Sequence, residues 1–105
     1  MAVAETVSAE ASQNSDVQAL ERFNAGEWTT ALELARHQIG SPECSSVIRA
    51  EMHHIEAACL YQLGHLEEAE HAIRAAVSIE PTKENYLNTY GVILRKNKRV
   101  AEAVR

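Results

Sequence analysis

Apolar residues at Leu66, Ala69, Ile73, Ala76 and Val77 recur at three- and four-residue spacing, while Glu67, Glu68, Glu70, His71 and Arg74 fill the intervening positions. That rhythm lays one apolar face along a helix and leaves the charges on the other face. Glu70 and Arg74 stand four apart, a favourable ion-pair spacing on a helix surface. Pro81 cannot continue the helix and disfavours helical dihedrals at Glu80, so the element is predicted to stop there. Upstream, Met52, Ile55, Ala57, Ala58, Cys59, Leu60 and Leu63 are apolar on more than one side, as in a helix packed between neighbours. Gly64-His65 between the two predicts a tight turn. Residues 50–81 therefore read as two antiparallel helices, with the small residues Ala57 and Ala69 at their crossing.

The unit repeats. Displaced by 34 residues, Ala57 falls on Gly91, Leu60 on Leu94, Leu66 on Val100, Glu68 on Glu102 and Ala69 on Ala103. A repeat of this length built on helix–turn–helix units is the signature of a stacked array. The landmarks Ala57, Leu60, Gly64, Ala69, Ala76 and Pro81 give the small, large-apolar, glycine, alanine, alanine and proline positions of the tetratricopeptide repeat, and the chain resembles that family over about two and a half repeats. The resemblance implies an all-α fold: antiparallel helix pairs stacked in a right-handed superhelix.

Towards the N-terminus, Ser15-Asp16-Val17-Gln18 has the form of a capping box and predicts a helix to about Ala25. Gly26 supplies a turn, and Trp28, Ala31, Leu32, Ala35 and Ile39 carry a second helix. This copy is offset by 38, with Gly26 matching Gly64, so four extra residues are expected in the Gly40–Ser46 connection. Its first helix matches poorly, with Arg22 in the place of Leu60. The central copy departs too: His53 and Glu56 stand where the family places large apolar residues, which suggests a local shift of helix phase. A third copy is expected from Thr82, a candidate N-cap, with Glu84 in the first turn and Leu87, Tyr90, Gly91 and Leu94 on the pattern. Lys98 replaces its turn glycine, and Val100–Arg105 is expected to begin a further helix that continues past the end of the sequence. Repeats are thus expected at 15–40, 47–81 and, truncated, 82–105, after a disordered or fraying tail over 1–14 that lacks periodicity.

Composition narrows the picture only slightly. The 105 residues suffice for one domain. The net charge of −5 argues against nucleic acid as a partner, but it is unevenly spread. Residues 1–94 hold 5 basic and 14 acidic side chains, and residues 95–105 hold 5 basic and 1 acidic. Arg95, Lys96, Lys98 and Arg99 either form a solvated helix end or offer an anion-binding patch. Cys44 and Cys59 show no CxxC spacing and read as free thiols. The opening MAVAETVS has neither a basic start nor an apolar run, and no segment approaches membrane-spanning length, so no signal peptide or membrane partner and a cytoplasmic location are expected.

Chemistry is not expected in these residues. There is no GxSxG, P-loop, GxGxxG or HExxH pattern. The five histidines include no i,i+4 pair: His53 and His54 are adjacent and point apart, and His65 and His71 do not share a face. No cofactor, metal site or catalytic residue is expected.

What the resemblance implies instead is a groove lined by the first helix of each repeat. It maps partner-binding positions onto Glu51, His54, Ala58, Tyr61 and Gln62 in the central repeat and onto Asn85, Asn88, Val92, Arg95 and Lys96 in the third. In the first they are Gln13, Asp16, Leu20, Phe23 and Asn24. Phe23 and Tyr61 would form a floor, the asparagines would hold an extended main chain, and Tyr and Arg are types enriched at binding hot spots. The two-carboxylate clamp of some relatives is missing, because its positions hold Asp16 and Leu20, then Ile55, then Asn85 and Thr89. The expected function is protein–protein interaction with a peptide or partner helix. The alternatives are a substrate-recruiting arm of a larger enzyme, such as a glycosyltransferase, and self-association through an apolar face carrying Leu94, Val100 and Val104.

Overall fold

The computed structural model describes residues 15–103, with side chains from Val17 to Arg99. The expected tail over 1–14, Gln13, and the side chains of Asp16, Val100 and Val104 lie outside the described residues. The described residues form five helices and no strand: α1 (Ser15–Asn24), α2 (Trp28–Ile39), α3 (Ser46–Leu63), α4 (Leu66–Ile79) and α5 (Glu84–Ala103). None is long and apolar enough to cross a membrane.

Two of the turns are closed by the same device. At Gly64, φ is +86°, its N–H donates to the Tyr61 carbonyl at 3.1 Å, and the His65 N–H donates to the Leu60 carbonyl at 2.8 Å. At Gly26, φ is +81°, and the matching bonds run to Phe23 at 3.0 Å and from Glu27 to Arg22 at 2.9 Å. This is the Schellman arrangement, which needs a left-handed residue after the helix and so favours glycine. The α2–α3 connection is instead an irregular loop. Ser45 caps α3 through its hydroxyl, which accepts from the Ile48 N–H at 3.3 Å. Arg49 donates to the Cys44 carbonyl at 3.3 Å, and both cysteines are buried free thiols.

Each helix packs on the next, and the first helices also meet one another, α1 with α3 and α3 with α5. Alanine makes this close approach feasible. Ala31, Ala35, Ala50, Ala57, Ala69 and Ala76 are all fully buried, beside Met52, Ile55, Leu60, Ile73, Tyr86 and Ile93. Helix α3 buries two faces, Met52-Ile55-Cys59 and Ala50-Ala57-Leu60, as its all-round apolar pattern requires.

Three expectations are corrected. No turn interrupts the chain at Lys98, because α5 runs unbroken to Ala103; lysine lacks glycine's access to the left-handed cap, and Arg95, Lys96, Lys98 and Arg99 all favour helix. Thr82 is not the N-cap of α5, since the first α5 amides bond to the Lys83 carbonyl; the Pro81-Thr82 turn sets the helix start later. Gly91 sits at no helix crossing among the described residues, and a Cβ there would meet nothing within 4 Å.

Candidate functional site

The face of α3 that packs on neither α2 nor α4 carries Glu51, His54, Ala58, Tyr61 and Gln62. On α5 the stripe of Asn85, Asn88, Val92, Arg95 and Lys96 follows the same helical period. None of the ten is buried. Tyr61, Val92, Arg95, Lys96 and Arg99 together line a cleft of about 240 Å³ where α3 and α5 lie side by side. Four of the sequence-selected residues are thereby brought into one site. Arg99 was not among the groove positions but belongs to the basic cluster read from the sequence, four residues after Arg95 on the same stripe.

Farther up the two helices, the fold itself uses part of the groove. Tyr86, 1% exposed, donates its hydroxyl to Glu51 Oε2 at 2.8 Å. Lys83 Nζ stands 4.0 Å from the same oxygen and 5.1 Å from the centre of the Tyr86 ring. His54 packs against that ring in a tilted arrangement, centroids 5.0 Å apart, and places Nε2 2.8 Å from Thr89 Oγ1. Burial lowers the His54 pKa below its ordinary value; Glu51 opposes that shift and Lys83 adds to it. Burial, reinforced by the bond to Glu51, raises that of the Tyr86 hydroxyl. Glu51 and His54 are therefore joints between α3 and α5 as much as exposed groove positions. Tyr86 escaped sequence reasoning because the acceptor of its hydroxyl, Glu51, lies 35 residues away, beyond the reach of any local period.

In the first repeat the expected floor residue Phe23 is half-buried. Phe23 packs against Trp28, with ring centroids 5.1 Å apart. Leu20 and Asn24 are exposed, and the missing Leu60 equivalent, Arg22, is exposed and paired with Glu27 at 3.2 Å.

The opposite side of α3 holds a larger cleft of about 320 Å³, lined by residues that include Arg36, His53, Glu56, Glu68 and His71. Its charges already satisfy one another. Arg36 binds Glu56 at 3.0 Å and approaches Glu68 at 3.6 Å, and His53 meets Glu56 at 3.1 Å. Burial alone would raise the Glu56 pKa, but hydrogen bonds from His53 and Arg36 outweigh it and hold the carboxyl below its ordinary value. The polar residues standing where the family pattern asks for apolar ones thus tie α2 to α3 and α4, while Met52 and Ile55 take the core positions. No group of three or more His, Cys, Asp or Glu among the described residues is placed to hold a metal ion. Burial, aided by Glu56, raises the Cys59 thiol to about 11, so it is neutral and unreactive near pH 7.

On α5 the stripe of Leu87, Gly91 and Leu94 faces away from the other described helices, with the two leucines 43% and 40% exposed. On the α4 side, Arg74 pairs with Glu70 at 2.8 Å and donates to the Tyr90 hydroxyl at 3.0 Å, and Asn97 donates to Glu70 at 3.1 Å. No family model, curated protein or solved structure matches the chain.

Proposed function

We propose that the chain is a tetratricopeptide-type array that binds an extended peptide or partner helix of another protein along the α3–α5 groove, without catalysis in this segment. The observation that carries the reading is the convergence of Tyr61 with Val92, Arg95 and Lys96 on one open cleft. The groove stripes continue from it through Ala58 on α3 and Asn88 and Asn85 on α5, residues that the helix packing leaves unburied. The family assignment draws support from the paired glycine turns, the buried alanines at the crossings and the mutual packing of α1, α3 and α5. Buried free cysteines suit a reducing, cytoplasmic setting.

The test is a selection of displayed random peptides on the whole chain, followed by affinity measurement on variants. Tyr61→Ala should weaken the selected peptides by at least about 2 kcal/mol, the scale of a hot spot, whereas His71→Ala on the outer face of α4 should leave them unchanged. Equal binding by wild type and Tyr61→Ala would refute the groove. A second reading, self-association through α5, rests on the exposed Leu87–Leu94 stripe. Sedimentation should then show a dimer that Leu94→Glu dissociates, and a monomer at all concentrations would remove that reading.

A further inference from the structure

The cation-rich end of the groove carries more positive charge than the described carboxylates pair with. Arg95, Lys96 and Arg99 are exposed within little more than one turn of α5, and none forms an ion pair with a described carboxylate. Of the other described cations, Lys98 likewise has no carboxylate partner, whereas Arg22 is committed to Glu27, Arg36 to Glu56, Arg74 to Glu70, Lys83 to Glu51, and Arg49 to a backbone carbonyl. Arg95 and Arg99 are also a like-charge i,i+4 pair, an arrangement that weakens a helix in isolation. A bound anion relieves that repulsion. Tyr61 and Val92 line the same cleft as the cations, so the site offers positive charge beside an aromatic and an aliphatic surface.

We infer that this cleft takes the paired carboxylates of a short acidic stretch in a partner protein, an inference that rests on the groove reading above. Geometry sets the size of the ligand. At about 1.5 Å per residue along a helix, Asn88 and Asn85 lie roughly 10 and 15 Å from Arg95. An extended chain covers those distances in about three to five residues. The ligand is thus an extended segment of about eight residues, with its acidic pair three to five residues from the part held by the asparagines. A long polyanion is disfavoured, because Glu51 and Glu84 flank the far end of the same groove, and the chain up to residue 94 is strongly acidic.

The experiment selects a displayed library of random ten-residue peptides on the full chain. It then measures the selected peptides, and a ten-nucleotide oligouridine, by fluorescence anisotropy against wild type, Tyr61→Ala and the triple variant Arg95→Gln, Lys96→Gln, Arg99→Gln. Glutamine keeps helix propensity, and circular dichroism should show unchanged helicity. The expected result is enrichment of neighbouring Asp or Glu and an affinity about tenfold lower in the triple variant, because exposed ion pairs are individually weak and three are lost together. Wild-type affinity should also fall as ionic strength rises from about 0.05 to about 0.5 M, with little such fall in the triple variant. Selected peptides without acidic residues, or with equal affinity for the triple variant, would overturn the inference. The groove reading would survive that result if Tyr61→Ala still weakened them. Insensitivity to both variants, or no selected peptide at all, would overturn both. Oligouridine binding as tightly as the peptides, and lost in the triple variant, would overturn it in favour of nucleic acid.

Discussion

Tyr86→Phe isolates the joint that holds the two groove helices together. The substitution keeps the ring in its fully buried place and removes only the hydroxyl that donates to Glu51 at 2.8 Å. A hydrogen bond to a charged acceptor contributes about 1.5–3 kcal/mol, but the Glu51 side chain is 40% exposed and water recovers part of the loss, leaving roughly 1 kcal/mol. For a domain of this size that lowers Tm by about 4–8 °C. Tyr86→Ala removes the ring as well and should cost about 3–5 kcal/mol, a large share of the roughly 5–15 kcal/mol that holds a domain together. Urea unfolding followed by circular dichroism measures both. A double-mutant cycle of Tyr86→Phe with Glu51→Ala should return a coupling of about 1 kcal/mol. An unchanged Tm for Tyr86→Phe together with zero coupling would refute the joint. A cost below about 1 kcal/mol for Tyr86→Ala would refute the docking of α5 on α3 through this ring.

Other positions give outcomes of defined sign. Gly64→Ala should destabilise by about 1–2 kcal/mol, because φ of +86° is left-handed, whereas Gly91→Ala, mid-helix in open space, should be neutral or stabilise by about 0.5–1 kcal/mol; melting curves that reverse these signs would contradict the turn and the helix. Ala57→Leu, fully buried on the α3 face toward α4, should overpack and cost about 1–3 kcal/mol, and an unchanged midpoint would displace the assigned crossing. For His54, a folded pKa below the ordinary value means that its contribution is present above about pH 6.5 and lost as pH falls through the folded value. Stability measured from pH 7 to pH 5 should therefore drop more in wild type than in His54→Gln, which keeps a partner for Thr89 but does not titrate; parallel profiles would show that the environment of His54, formed with Glu51, Lys83 and Tyr86, does not couple to folding.

The α3–α4 hairpin was the most legible part of the chain. Its helix period, Gly64 and Pro81 all act locally, so their consequences can be read within a few residues. The same holds for Gly26. Lys98 shows the limit of reading by alignment of copies: the repeat register asked for a turn, but the local residues favour helix and the local preference prevailed. The cap at Ser45 was hidden because three residues on stands Ile48 rather than Glu or Gln, so no capping box flagged it. Within the candidate site, the groove positions that the resemblance implies include Tyr61, Val92, Arg95 and Lys96, and the fold brings these four to one cleft. The resemblance could not reveal that Glu51 and His54 are partly spent on joining α3 to α5, since those bonds reach Tyr86 and Thr89 across 35 residues. Nor could it show that Phe23 packs against Trp28.

The most direct test of the groove is a titration of the isotopically labelled full chain with a selected peptide, followed by backbone amide NMR shifts. The account predicts that the largest changes fall within His54–Gln62 of α3 and Asn85–Arg99 of α5, with the outer helices α2 and α4 little affected. Largest changes on α2 and α4, around Thr29–Glu33 and His71–Ser78, would place the binding surface on the other side of the fold and contradict it.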